Sequence, residues 1–213
     1  MIVPSMNSEE LTKEILQDFE TVSRKAQYLA QKIRRIALKS QQKFFRQEFD
    51  YKSTKNNEWL IIVACTKKES IFTAIVTYRN TFGFNAIMIN SNQKALIHFT
   101  GHFFDRFNER YLKLPNPSKR ELLKRFIAKN FLISNCSIQN TTKGQYNVLG
   151  VVSEGIGLGY KEIQKENEIC HYKTFITNDM IHHQQKPIFD ELKKYYGMLQ
   201  TKSFNPIILG NCA

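Results

Sequence analysis

From Glu9 to about Phe45 apolar residues recur at helical spacing. Leu11, Ile15, Phe19, Val22, Ala26, Leu29, Ile33, Ile36 and Ala37 fall on one side. No Pro or Gly interrupts the run, and acids (Glu9, Glu10, Glu14, Asp18) precede bases along it, as the helix dipole favours. The pattern predicts one long amphipathic helix. The period then shortens. "EWLIIVACT", "SIFTAIVTYRN", "FGFNAIMIN" and "KALIHFTG" read as strands, and the short separators "KKE", "TFG" and "SNQ" predict antiparallel hairpins.

Helical periodicity returns in "HFFDRFNERY", where Phe103, Phe104, Phe107 and Tyr111 form an aromatic anchor. After "LPNPSKRE", Ser118 is the expected N-cap and Glu121 the expected partner in a capping box. "KRELLKRFIAKNFLI" is a second, basic helix. "QYNVLGVVSEGIGLGYKEI", broken near its glycines, and "EICHYKTFIT" are further strands, and a helix from about Asp179 to Met198 closes the chain. The expected class is α+β: a mainly antiparallel sheet with flanking helices and a long N-terminal amphipathic helix. A boundary near "YKSTKNNE" would separate the helix (1–50) from one α+β domain (58–200), with a tail over 201–213.

Charge changes this picture most. The chain has 213 residues and a net charge of +12, which favours polyanionic partners and says nothing about fold. No acid occurs between Glu20 and Glu48, and Arg24, Lys25, Lys32, Arg35, Lys39, Lys43 and Arg46 would project within about a 100° arc of a continuous helix. This is a candidate nucleic-acid surface, and a solvated helix face is the competing reading. The opposite, apolar face supplies a third possibility, a docking arm for a protein partner.

Four scattered cysteines (Cys65, Cys136, Cys170, Cys212) form no C-x-x-C pair, which suits a reducing compartment. The acidic start contains no secretory signal core, and "WLIIVAC" is too short to span a bilayer. A cytoplasmic location without a membrane span is expected.

His102, Arg106 and Arg110 are spaced by four and would stack as one polar ridge. Histidine serves as acid or base near neutral pH, and arginine offers a fork matched to phosphate. Those types together suffice for metal-independent attack of a ribose 2′-OH on phosphorus, with no cofactor, and a surface helix with His near its N-terminus is the competing reading. Glu109 can orient Arg106 or simply pair with it at the surface. On the strand "CHYKTFIT", His171, Lys173 and Phe175 share one face by period two, so His171 and Lys173 are candidate helpers, with the wet side of a half-exposed sheet as the competing reading. Gly155, Gly157 and Gly159 in "EGIGLGY" suggest strand curvature or close approach of a backbone; a floor beneath a phosphate is the alternative. The vicinal His182 and His183 diverge by about 100° on a helix, so no metal site is expected there.

"KALIHFTGHFFDRFNERY", the following helix and "YNVLGVV…YKTFIT" together resemble small H-x3-R-x3-R domains. Some of these are grouped with the ribonuclease-toxin superfamily of barnase, colicin and RelE-type nucleases. The resemblance covers residues 95–177 and implies an α+β fold, RNA cleavage and catalytic His102, Arg106 and Arg110. A protein partner through the N-terminal helix would then be an antitoxin or a second copy. The strands before the motif and the long leading helix depart from those domains.

Overall fold

A computed structural model describes residues 1–90, 95–130, 134–140, 146–164, 167–183, 186, 187 and 189–194. The chain divides into two compact units, Met1–His98 with Gln164–Ile169, and Phe99–Ile163 with Cys170–Ala213. The class is α+β, as the alternation of periods predicts.

The first unit opens with helix α1, Ser8–Lys39. Asn7 caps it: its side chain accepts from the Glu10 amide at 2.9 Å while the Glu10 carboxylate takes the Asn7 amide at 3.0 Å. Strands β1 (Phe44–Lys52), β2 (Glu58–Thr66), β3 (Ser70–Asn80) and β4 (Gly83–Asn90) follow. They pair as consecutive antiparallel hairpins, and β5 (Ala95–Thr100) lies next to β4. The turn after β3 has two residues, Thr81 and Phe82, and Gly83 takes a φ of +105° that a side chain would disfavour. Ile15, Val22, Ala26, Leu29, Ile33 and Ala37 of α1 are buried with Trp59, Ile61, Val63, Phe72, Ala74 and Val76. Phe19 packs against that cluster. The apolar side that a partner would need is therefore used internally.

Asp18 fixes the register of helix on strands. It is 1 % exposed, and its Oδ2 accepts from Ser53 Oγ (2.7 Å), Asn57 Nδ2 (2.7 Å) and Trp59 Nε1 (2.8 Å). The stretch "YKSTKNNE", expected as a domain boundary, is thus the turn between β1 and β2 on which α1 is seated.

Two expectations for the N-terminal segment are corrected. The helix stops at Lys39, where Ser40 turns extended, and Phe44–Lys52 is a strand. Lys43 sits in the connection between them, and Arg46 lies on β1 bonded to Glu48 at 3.2 Å. The period changes here from 3.6 to two: Phe45, Phe49 and Tyr51 all pack against the core beneath α1. Ile36, expected on the apolar side, is exposed.

The second unit holds helix α2 (Gly101–Phe107), a π-helical turn (Asn108–Leu112) and helix α3 (Lys119–Lys129). Its strands are β6 (Ser134–Asn140), β7 (Tyr146–Val152), β8 (Gly155–Gln164) and β9 (Asn167–Thr177), in the order β9-β8-β7-β6. β5 and β9 each begin in the first unit and end in the second. Phe99, Phe103, Phe104, Phe107, Phe126, Tyr172 and Phe175 form a buried aromatic core with ring centroids 5.0–6.3 Å apart in its contacting pairs.

Ser118 caps α3 by accepting from the Glu121 amide at 3.1 Å. The Glu121 carboxylate accepts from Arg125 at 3.0 Å. β6 was not anticipated; α3 ends at Lys129 with Asn130 as its C-cap, and residues 131–133 ("FLI"), expected to continue the helix, lie outside the described residues. The closing helix appears at 186, 187 and 189–194, after a 3-10 turn at Asn178–Met180. Its expected end at 195–198 and the tail over 201–213 lie outside the described residues. Among the described residues, no helix is long and apolar enough to cross a membrane.

Candidate functional site

Three clusters of charged residues carry chemistry. The first is the cationic end of the first unit. Because the core side of α1 is packed on the strands, its far side is displayed rigidly, and Arg24, Lys25, Lys32, Arg35 and Lys39 are all exposed. The turn between β2 and β3 adds to them. Thr66 Oγ1 accepts from the amides of Lys68 and Glu69, each at 3.2 Å, which closes the turn and leaves the Lys67 and Lys68 side chains outside. Arg34 donates to the Lys68 carbonyl at 3.2 Å, tying the last turns of α1 to this loop. Arg34, Lys67 and Lys68 are therefore brought together near the end of α1 that also carries Arg35 and Lys39, and Glu69 lies in the same turn. Arg46 is excluded by its half-buried position and its bond to Glu48. Sequence reasoning missed Lys67 and Lys68, whose "KKE" reads only as a hairpin separator.

The second cluster is the His102 helix. Thr100 Oγ1 accepts from the Phe103 amide at 3.3 Å and starts α2 directly after β5. Burial of Phe103, Phe104 and Phe107 turns His102 outward. Arg106 Nε donates to His102 Nε2 at 3.3 Å, and its Nη1 pairs with Glu109 Oε2 at 2.6 Å. This much of the ridge forms, and Glu109 pairs with Arg106 at the surface at the i,i+3 spacing.

Arg110 leaves it. After Phe107 the helix widens to i→i+5 bonding, with the Lys113 amide reaching the Asn108 carbonyl at 2.7 Å. Lys113 then ends the turn in the left-handed region, at a φ of +53°. A wider turn shifts the phase of the side chains that follow it. Arg110 Nη1 donates instead to the Phe175 carbonyl of β9.

The third cluster contains His171 and Lys173. His171 stacks on Tyr160 with centroids 4.6 Å apart, and the Lys173 ammonium lies 4.7 Å from the same ring. His171 Nε2 is 3.3 Å from Glu162 Oε2. Burial pushes the His171 imidazole below its ordinary pKa of 6.5, and Glu162 only partly offsets that shift. Burial, reinforced by Glu162, raises the Tyr160 phenol.

This cluster is not joined to His102. A Cβ on Gly157 would point at Tyr172 and Phe103, so Gly157 faces α2. Tyr160 and Glu162, an odd number of residues along β8, face the other way. His171 and Lys173 accordingly lie on the sheet face away from α2. Phe175 does not share their face as period two predicts; it packs on Phe103 and Phe107 in the aromatic core.

The glycines make room for neighbours within the fold. A Cβ on Gly157 would come within 2.8 Å of the Tyr172 ring, while at Gly155 and Gly159 it would run into the β9 backbone at Ile176 and His171. Close approach of the β9 backbone accounts for Gly155 and Gly159, and the Tyr172 and Phe103 rings account for Gly157.

Among the described residues, no group of three or more His, Cys, Asp or Glu side chains is placed to hold a metal ion. His182 and His183 are exposed. Cys65 and Cys170 are buried free thiols, and burial raises the Cys65 thiol. The Cys136 side chain and Cys212 lie outside the described residues. In comparisons with known proteins, no family model, no curated protein and no solved structure matches the chain.

Proposed function

We propose that the protein binds nucleic acid through the cationic end of its first unit. The observation that carries this reading is the exposed basic side of α1, whose last turns are tied through Arg34 to the β2–β3 turn that carries Lys67 and Lys68. Phosphate affinity needs clustered cations on a surface that does not reorganise, and α1 meets that need because Asp18 and the apolar side hold it to the strands. The net charge of +12 adds long-range attraction for a polyanion.

The test is charge reversal at Arg35, Lys39 and Lys68 together. Each is exposed, so folding should survive. Binding of a labelled oligonucleotide, followed by anisotropy between 50 and 200 mM salt, should weaken roughly tenfold or more, with the salt slope shallower by about three. Unchanged affinity and slope would overturn the proposal.

RNA cleavage is a second reading, favoured by the contact between His102 and Arg106. In it His102 would transfer protons and Arg106 would hold the phosphate, as the resemblance to ribonuclease toxins implies. Arg110 instead bonds the Phe175 carbonyl, and His171 and Lys173 lie on the sheet face away from α2. Cleavage of total RNA in the presence of chelator, lost in His102→Ala, supports it; no cleavage by the parent protein sinks it.

A further inference from the structure

We propose that the ligand of the cationic surface is single-stranded nucleic acid, and that Tyr28 is a stacking platform for one of its unpaired bases. The inference rests on the nucleic-acid reading above and deepens it. Tyr28 is 59 % exposed in the middle of the basic side of α1. Its ring is packed into no core, and the side chain it meets is Lys25, whose ammonium lies 5.3 Å from the ring centroid. A cation on one part of the ring leaves aromatic surface open for a base.

Position supports the same role. Arg24 and Lys32 lie one turn to either side, each about 6 Å along the helix axis from Tyr28. Both are exposed. From Tyr28 to Lys39 the axis runs about 17 Å, the length of roughly five stacked nucleotides at about 3.4 Å each. A strand laid along this side would meet Arg24, Lys32, Arg35 and Lys39 with its phosphates and Tyr28 with a base. Such interleaving of cations and an aromatic face binds single strands with little sequence preference, because every base has a π-face. In a duplex the base faces are already stacked, and the ring would gain nothing.

An anionic membrane is the other ligand a basic helix can meet, and it fits less well. Ile36 and Leu38 are also exposed, yet two residues apart on a helix they diverge by about 160°. Both cannot enter one lipid plane, and cations separate Tyr28 from Ile36 around the helix.

The experiment compares four probes by anisotropy: a 12-nucleotide single strand, an abasic strand of the same length, a 12-base-pair duplex, and vesicles containing anionic phospholipid. The parent protein should bind the single strand about tenfold more tightly than the abasic strand. Tyr28→Ala should abolish that preference without changing affinity for the abasic strand or the duplex, while Tyr28→Phe retains it. Equal binding of all oligonucleotides by parent and Tyr28→Ala overturns the stacking role and leaves the nucleic-acid reading intact. Binding of vesicles but of no oligonucleotide overturns both.

Discussion

Replacing Asp18 with alanine should detach the seat of α1. Three donors converge on Oδ2, and the residues that supply them, Ser53, Asn57 and Trp59, are themselves buried. Oδ1 is buried without a hydrogen bond, so the carboxylate gives up its own hydration on that side. Leaving a buried donor unpaired costs about 1–3 kcal/mol. Three such costs are offset by the desolvation that the missing carboxylate no longer suffers, and by water reaching Ser53 and Asn57 at the turn. The net loss should be about 3–4 kcal/mol. For a chain of this length that lowers the melting temperature by about 6–16 °C.

Thermal and urea unfolding followed by circular dichroism read the change. Asp18→Asn is the informative companion: it keeps a carbonyl oxygen for the donors but puts an amide N–H₂ where Oδ1 has no partner, so its loss should be intermediate. A melting temperature for Asp18→Ala within 2 °C of the parent would refute the seating of α1 on the β1–β2 turn. The rigid display of Arg35 and Lys39 would lose its basis with it.

In the second unit, Phe107→Ala should cost about 3–5 kcal/mol, because the ring is fully buried against Phe126 and Phe175; an unchanged urea midpoint would place Phe107 at the surface. Gly157→Ala forces a methyl toward Tyr172 and should cost about 1–3 kcal/mol as overpacking, checked by the same unfolding curves. The lowered pKa of His171 means that the unfolded chain takes up a proton more readily than the folded one. Its stability contribution is therefore fully present above pH 6.5 and is lost as pH falls through the folded value. The stability gap between the parent and His171→Phe should change between pH 7.5 and pH 5.5; a constant gap would show that His171 titrates as it does in water.

The sequence makes the sheet hairpins legible because their alternating or continuous apolar runs are bounded by polar separators. β3 begins and ends at Ser70 and Asn80, the limits of "SIFTAIVTYRN". β1 was hidden because "KFFRQEFDYK" follows a helix with no Gly or Pro to mark the change, and charge periodicity alone can be continued through it. The ridge was half legible: local spacing joins His102 to Arg106, but nothing local announces the π-helical turn that carries Arg110 away. Strand parity could not show on which face of the sheet His171 falls relative to α2, since that depends on where Tyr172 and Gly157 meet. Lys67 and Lys68 join the cationic end only through the tertiary bond from Arg34.

The most direct test of the central claim is a footprint of lysine reactivity with and without a bound single-stranded oligonucleotide. Lys32, Lys39, Lys43, Lys67 and Lys68 are exposed on the proposed surface, whereas Lys113 and Lys173 are exposed in the second unit. Mass spectrometry after brief acetylation should show protection at the first five and none at the last two. Protection confined to Lys113 or Lys173, with the first five still reactive, would contradict the account and move binding to the second unit.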